Sequence, residues 1–232
     1  MKKYKDLFIA LLAFLLYFTF SFAFKSILNL FNVDINSLSP VLLNTILIIS
    51  DLLFMTIIFF IYRKAIIKDA KEFGANKGKW FIKYIGIFLL SVLVMGILNV
   101  VLSYITNLET SENEELVRKL IKLLPVYMTF STVLYAPFVE ELLFRKAIRK
   151  IIKGDDKYIK ITYIIISAVI FGLLHVITLD ASFYDLLMGI PYMVVGLSLG
   201  YIYSKTDNVF STMQFHLMHN TILLILQLVL RG

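Results

Sequence analysis

The chain of 232 residues is 59% hydrophobic and 17% charged, with a mean hydropathy of +0.84, whereas a soluble domain runs at about 45 to 50% apolar and about 25% charged. This excess makes it an integral membrane protein and excludes an ordinary water-soluble enzyme. The absence of cysteine removes disulfides and thiolate metal ligands. The net charge of +7 bears on orientation in the bilayer, because basic loops face the cytoplasm. No basic segment carries the aromatic stacking motifs of a nucleic-acid binder, so nucleic acid is not an expected partner.

About 20 apolar residues cross a bilayer as a helix. Such stretches fall at 7–24, 41–62, 84–105, 125–152, 159–176, 186–203 and 209–230. They predict an all-α, polytopic membrane helix bundle of about seven transmembrane helices, with six and eight as the bounds. Lys2, Lys3 and Lys5 precede the first stretch as in a signal peptide, but its apolar run is long and has no clear small-residue cleavage site, so it is expected to remain as an anchor. Arg63, Lys64, Lys68, Lys71, Lys77 and Lys79 crowd the second connection. Arg145, Lys146, Arg149, Lys150, Lys153, Lys157 and Lys160 crowd the end of the fourth span and the connection after it. Glu109, Glu112, Glu114 and Glu115 mark the third connection, and Asp180 and Asp185 the fifth. This alternation predicts a multi-pass protein of the cell membrane with its N-terminus in the cytoplasm.

Smaller signals support helices. Ser111 with Glu114 reads as a capping box opening a short amphipathic helix through Leu116, Leu120 and Leu124, expected to lie along the outer membrane surface. Pro125 suits the first turn of the span that follows. Gly196 and Gly200 form a small-xxx-small pair in the sixth span, where backbones approach closely. No repeat, low-complexity tract or long linker divides the chain, so one integral membrane domain is expected over residues 1–232, with a motif-bearing core at 125–230.

Ionisable groups at membrane depth are costly and mark function by default. Glu141 and Arg145 are four apart with the acid first, the favourable order for an ion pair on one helix face. Glu140 points about 100° away and has no adjacent cation, as suits a general base. Pro137, one turn earlier, cannot donate to the helix ladder. The plain alternative is that both acids pair with cations to hold helices together. His175 follows Phe171 by one turn in the fifth span. Counted at about 1.5 Å per residue from Lys153 and Lys160, Glu140 and His175 both lie about 20 Å in, at one level.

His216 and Asn220 share a face of the seventh span, with His219 beside them. They suit either two donors to an oxyanion or an imidazole ligand with a supporting amide. No HExxH is present. Glu140, His175 and His216 offer three ligands for a catalytic zinc with a fourth position open for water. Without metal, Glu140 and His175 suffice to activate water while His216 and Asn220 stabilise the tetrahedral intermediate. Both routes hydrolyse an amide. Asp51, with Asn44 two turns before it, is the remaining intramembrane acid, while Gln214, Gln227, Ser131, Thr132, Ser167 and Ser198 read as interhelical hydrogen bonders.

Glu140-Glu141-x3-Arg145, Phe171-x3-His175 and His216-x3-Asn220, in that order on successive spans, resemble the three motifs of the CAAX prenyl endopeptidase and bacteriocin-processing (CPBP, or Abi) family of intramembrane proteases. The resemblance covers Glu140 to Asn220, and the first three spans share only hydrophobicity with it. It implies that Glu140 is the catalytic acid/base with His175 as its partner in activating water, that Glu141 and Arg145 hold the site together, and that His216 and Asn220 stabilise the oxyanion. It further implies a membrane-associated peptide or lipidated protein as substrate, and leaves metal-dependent and metal-free mechanisms open. A membrane scaffold or bacteriocin-immunity protein of the same fold is the second reading. A small transporter is the third, without the repeated halves such proteins show.

Overall fold

The computed structural model describes residues 2–108, 110–178 and 182–230. The loop acids Glu109 and Asp180, which entered the orientation argument, lie outside the described residues. The described residues are helical, with no strand. Helix α1 is Lys2–Leu30, α2 is Pro40–Thr106 and α3 is Glu112–Leu123. Helix α4 runs unbroken over 125–151, alternating α-helical with π-helical turns. Helices α5 (Lys157–Leu174), α6 (Phe183–Leu187), α7 (Ile190–Thr206) and α8 (Val209–Leu230) follow. Among the described residues, five helical stretches are long and apolar enough to cross a membrane by length and composition. One of them is α2, whose 67 residues amount to about 100 Å of helix and hold two of the expected spans. With α4, the seven expected apolar stretches are all helical.

Two connections differ from expectation. Residues 63–83 were expected as a basic loop and are instead part of α2. This segment contains no proline, and its Lys, Ala and Glu residues favour helix. The two halves of α2 nonetheless run in opposite directions through the bundle. Asn44 of the first half meets Tyr127 at the start of α4, and Asp69 meets Lys146 near its end. In the second half Phe73 meets Phe210, and Phe88 meets Phe215 and His219, so this half runs along α8. Since α4 and α8 are antiparallel, with Thr132 opposite Asn220 and Glu141 opposite His216, α2 reverses direction between about Asp69 and Phe81. The sixth span is also interrupted. Ser182 and Asp185 make a reciprocal capping box at α6, the chain turns at Met188 and Gly189, and Pro191 opens α7 without needing a donor.

Large apolar side chains point outward over much of the surface, with Tyr104 87% and Ile82 77% exposed, as lipid-facing positions require. Lipid is as apolar as leucine, so burial of such groups contributes little between helices, and close packing and polar contacts carry the assembly. Phe14 and Phe20 of α1 pack on Phe144 and Phe54. Ser91 of α2 donates to Ser198 of α7 at 3.0 Å. The expected glycine contact holds: Gly196 and Gly200 face the backbones of Ala168 and Ile164 in α5.

Gly172 is tighter still. A Cβ there would lie 2.7 Å from the Gly189 carbonyl oxygen and 2.9 Å from the Met193 nitrogen, both backbone atoms that cannot rotate away. Gly172→Val is therefore expected to force α5 from α7 and to cost about 1 to 3 kcal/mol or more. Gly86→Val, where nothing lies within 4 Å, should change little. Thermal unfolding of both variants in detergent checks the pair.

Candidate active site

Glu141 and Arg145 lie in the second π-helical segment of α4, Glu141–Ala147, every residue of which is buried. Arg145 Nε donates to Glu141 Oε2 at 2.9 Å and Nη2 reaches Oε1 at 3.4 Å, with both side chains fully buried. The guanidinium also donates to Ser167 Oγ of α5 at 2.5 Å and lies 5.2 Å from the centre of the Phe171 ring. Ser167 in turn donates to the Phe144 carbonyl. The expected i, i+4 pair thus also locks α4 to α5.

Glu141 continues into α8. Its Oε1 lies 3.0 Å from His216 Nδ1. An ionised carboxylate only accepts, so the pairing requires a hydrogen on Nδ1 and turns Nε2 the other way. That nitrogen faces Glu140 Oε2 at 3.9 Å. Glu140 Oε2 is itself buried, and no donor among the described residues hydrogen-bonds it. The two adjacent acids therefore have different surroundings: Glu141 is held by Arg145 and His216, while Glu140 projects into a cavity.

His175 lies one residue past the end of α5, where its backbone N–H caps the helix on the Gly172 carbonyl. Its Nδ1 is 2.7 Å from the Phe171 carbonyl oxygen, an acceptor, so Nδ1 carries the hydrogen and Nε2 is left as an acceptor. The ring stacks on Tyr192 at 4.7 Å and touches Phe171 at 4.5 Å. Phe171 also meets His216 edge-on at 5.6 Å, which makes this motif phenylalanine the shared wall of both imidazoles. A cavity of about 520 Å³ is lined by Glu140, His175, His216, His219 and Asn220 together. His219 is buried against Phe88.

Asn220 has a role the sequence did not disclose. The Ala136 N–H bonds the Ser131 carbonyl in the wide π register, and the next residue, Pro137, has no N–H. The Thr132 carbonyl is thereby deprived of both its helical donors. Asn220 Nδ2 donates to it at 2.9 Å, leaving one amide hydrogen for the cavity. Asn220→Ala is expected to strand that carbonyl and cost about 1 to 3 kcal/mol. Pro137→Ala, which restores a backbone donor, should recover part of that stability in the double variant without restoring any activity that depends on Asn220. Unfolding of the two single variants and the double variant checks this coupling.

Several cavity residues escaped sequence reasoning. The Ser111 hydroxyl accepts from the Glu114 N–H as expected, but the Glu114 carboxylate turns to Arg118 and, at 3.1 Å, to the Tyr192 hydroxyl. Asn113 donates to the His175 carbonyl at 2.8 Å. Helix α3 therefore puts polar side chains into the cavity, contacts that its amphipathic pattern did not disclose. Its apolar side packs Ile121 with Met128 and Leu224. Tyr192 carried no signal beyond being aromatic. Asp51 stands beside Ser131, and Asn44 accepts from the Tyr127 N–H at 2.8 Å, capping α4.

Glu140, His175 and His216 are the candidate ligands for a zinc ion. His216 Nδ1 is taken by Glu141, and among the described residues no three His, Asp or Glu side chains converge as a metal site would require. The set Glu140, His175 and His216 is thus not arranged as a ready ligand shell.

Residues 122–222 match the family model described as Type II CAAX prenyl endopeptidase Rce1-like. The chain is 27% identical over 142 residues to "Putative membrane peptidase YdiL" of Bacillus subtilis (strain 168), over 61% of this chain and 54% of that protein. It is 28% identical over 144 residues to "UPF0177 protein YvdC" of Lactococcus lactis subsp. lactis (strain IL1403), over 62% of this chain and 52% of that protein. The matches span about half the length of these curated relatives. No solved structure matches the chain. The matched region contains all three motifs, from Glu140 to Asn220, and over residues 122–222 the chain is similar to the Rce1-like CAAX prenyl endopeptidases.

Proposed function

We propose that the protein is an intramembrane endopeptidase that hydrolyses a peptide bond of a membrane-associated peptide or lipidated protein. The observation that carries this reading is the buried, undonated Glu140 Oε2 facing His216 Nε2 at 3.9 Å in a cavity that also holds His175. A water between Glu140 and the acceptor nitrogen of His175 donates one hydrogen to each. Glu140 takes a proton from it as the oxygen attacks the scissile carbonyl carbon. The resulting oxyanion is met by His216, as the imidazolium supported by Glu141, and by the remaining amide hydrogen of Asn220. Protonated Glu140 then delivers its proton to the leaving nitrogen and the C–N bond breaks. Glu140, His175, His216 and Asn220 are the catalytic residues of this scheme, and Glu141 and Arg145 are positioning residues.

The alternative of a scaffold or immunity protein needs no undonated carboxylate facing an imidazole in a cavity. The two readings are separated by incubating the purified protein in liposomes with membrane-anchored peptides and analysing the peptides by mass spectrometry. Cleavage supports the protease. Intact peptides across a varied set, with a stoichiometric complex formed instead, favour the scaffold. Because the donors are not gathered as a ligand shell, cleavage is expected to survive chelators. Stoichiometric zinc, loss of activity on chelation and recovery on adding metal back would contradict that and recast Glu140, His175 and His216 as ligands.

A further inference from the structure

The two ends of the bundle differ in charge and in closure. Lys2, Lys3 and Lys5, seven residues between 63 and 83, seven between 145 and 160, and Lys205 leave only Lys25, Arg118, Lys119, Lys122 and Arg231 elsewhere among the 23 lysines and arginines. The contacts gather these basic stretches at one end. Asp6 of α1 pairs with Lys150 and Lys153 at 3.9 and 2.7 Å, and Asp69 of α2 pairs with Lys146 at 2.8 Å.

Buried polar groups pack closely at that end. Asn208 Nδ2 donates to the Asp69 carbonyl at 2.7 Å, and the Val209 N–H to Asp69 Oδ2 at 3.2 Å. Asp69, Arg145, Asn208, Ser211 and Thr212 are all fully buried. This buried polar network lies between the paired lysines of the basic end and the buried Glu141–Arg145 pair.

The opposite end is built differently. The cavity wall there consists of Asn99 of α2, Asn113 and Arg118 of α3 and Gln227 of α8, all half-buried. Between this polar rim and Glu140 the wall is apolar, with Met95, Ile121, Met128 and Leu224. Basic residues mark the cytoplasmic side of a membrane protein. We infer that the cavity opens to the extracytoplasmic side, and that its substrate is the segment of a membrane-anchored polypeptide that emerges on that face. This inference rests on the protease reading for its substrate, but its geometry stands apart from catalysis. A polypeptide entering there brings an apolar stretch past the methionine and leucine wall, with its polar flank at the Asn99, Asn113 and Gln227 rim.

The chain has no cysteine, so single-cysteine variants report access directly. Lys119→Cys on the exposed face of α3, Gln227→Cys in the cavity wall and Lys157→Cys at the basic end are treated in intact cells with a membrane-impermeant maleimide, then again after lysis. Reaction of Lys119→Cys and Gln227→Cys before lysis, with Lys157→Cys reacting only afterwards, supports the inference. Any other pattern overturns it: Lys157→Cys reacting first reverses the orientation, and a Gln227→Cys that reacts only after lysis closes the mouth. Labelling does not require turnover. A correct labelling pattern with no cleavage of peptides presented from outside would therefore count against the protease reading and leave the direction of access standing.

Discussion

Glu140→Gln is expected to leave a folded, inserted protein whose proteolytic turnover falls by about 10² to 10⁴, the contribution of a positioned general base. Glutamine keeps the shape and can still hydrogen-bond water, but it cannot accept the proton. Stability should hardly change, because Glu140 Oε2 receives no hydrogen bond among the described residues and an amide removes a charge from an apolar cavity. The measurement is a pair: initial cleavage rate in liposomes and thermal unfolding in detergent. Near-wild-type turnover in a folded Glu140→Gln protein would remove Glu140 from the reaction.

Arg145→Ala should behave in the opposite manner, with stability lost first. Removing the guanidinium strands the fully buried Glu141 carboxylate and deprives Ser167 and the Phe171 ring of the group between them. Breaking a buried ion pair from one side costs about 3 to 5 kcal/mol, enough to unfold many membrane proteins at working temperature. Arg145→Lys should recover only part of this, since an ammonium cannot supply the paired Nε and Nη2 contacts to one carboxylate and a third to Ser167. Protein yield in the membrane and unfolding temperature are the readouts. An Arg145→Ala protein as stable as wild type would mean that Glu141 is held by His216 alone.

The helices and the order of the motifs were legible because apolar runs and four-residue spacings are local properties. Glu141 with Arg145, and Gly196 with Gly200, are pairs on one helix face, and a single sequence displays them. The relation of Glu141 to His216 spans 75 residues and depends on the antiparallel crossing of α4 and α8, which no local pattern encodes. Asp69 shows the same limit. It sits among lysines in what reads as a solvated basic loop, yet it is fully buried, pairing with Lys146 and capping the start of α8. Helix α3 was legible only in part: its amphipathic pattern is local, but the contacts of Asn113 and Glu114 with His175 and Tyr192 are not. Asn220 looked like a second oxyanion donor. The need created by Pro137 and the π turn before it, a carbonyl without a partner, became visible only with the backbone hydrogen bonds in hand.

In the proposed reaction Glu140 activates water and does not itself attack the peptide. A single-turnover cleavage in H₂¹⁸O, with protein in excess over a membrane-anchored peptide, tests it most directly. A general base predicts one ¹⁸O in the new C-terminal carboxylate of the product and none in the protein. Label found in the Glu140 carboxyl group, with unlabelled product, would identify Glu140 as the nucleophile and contradict this account.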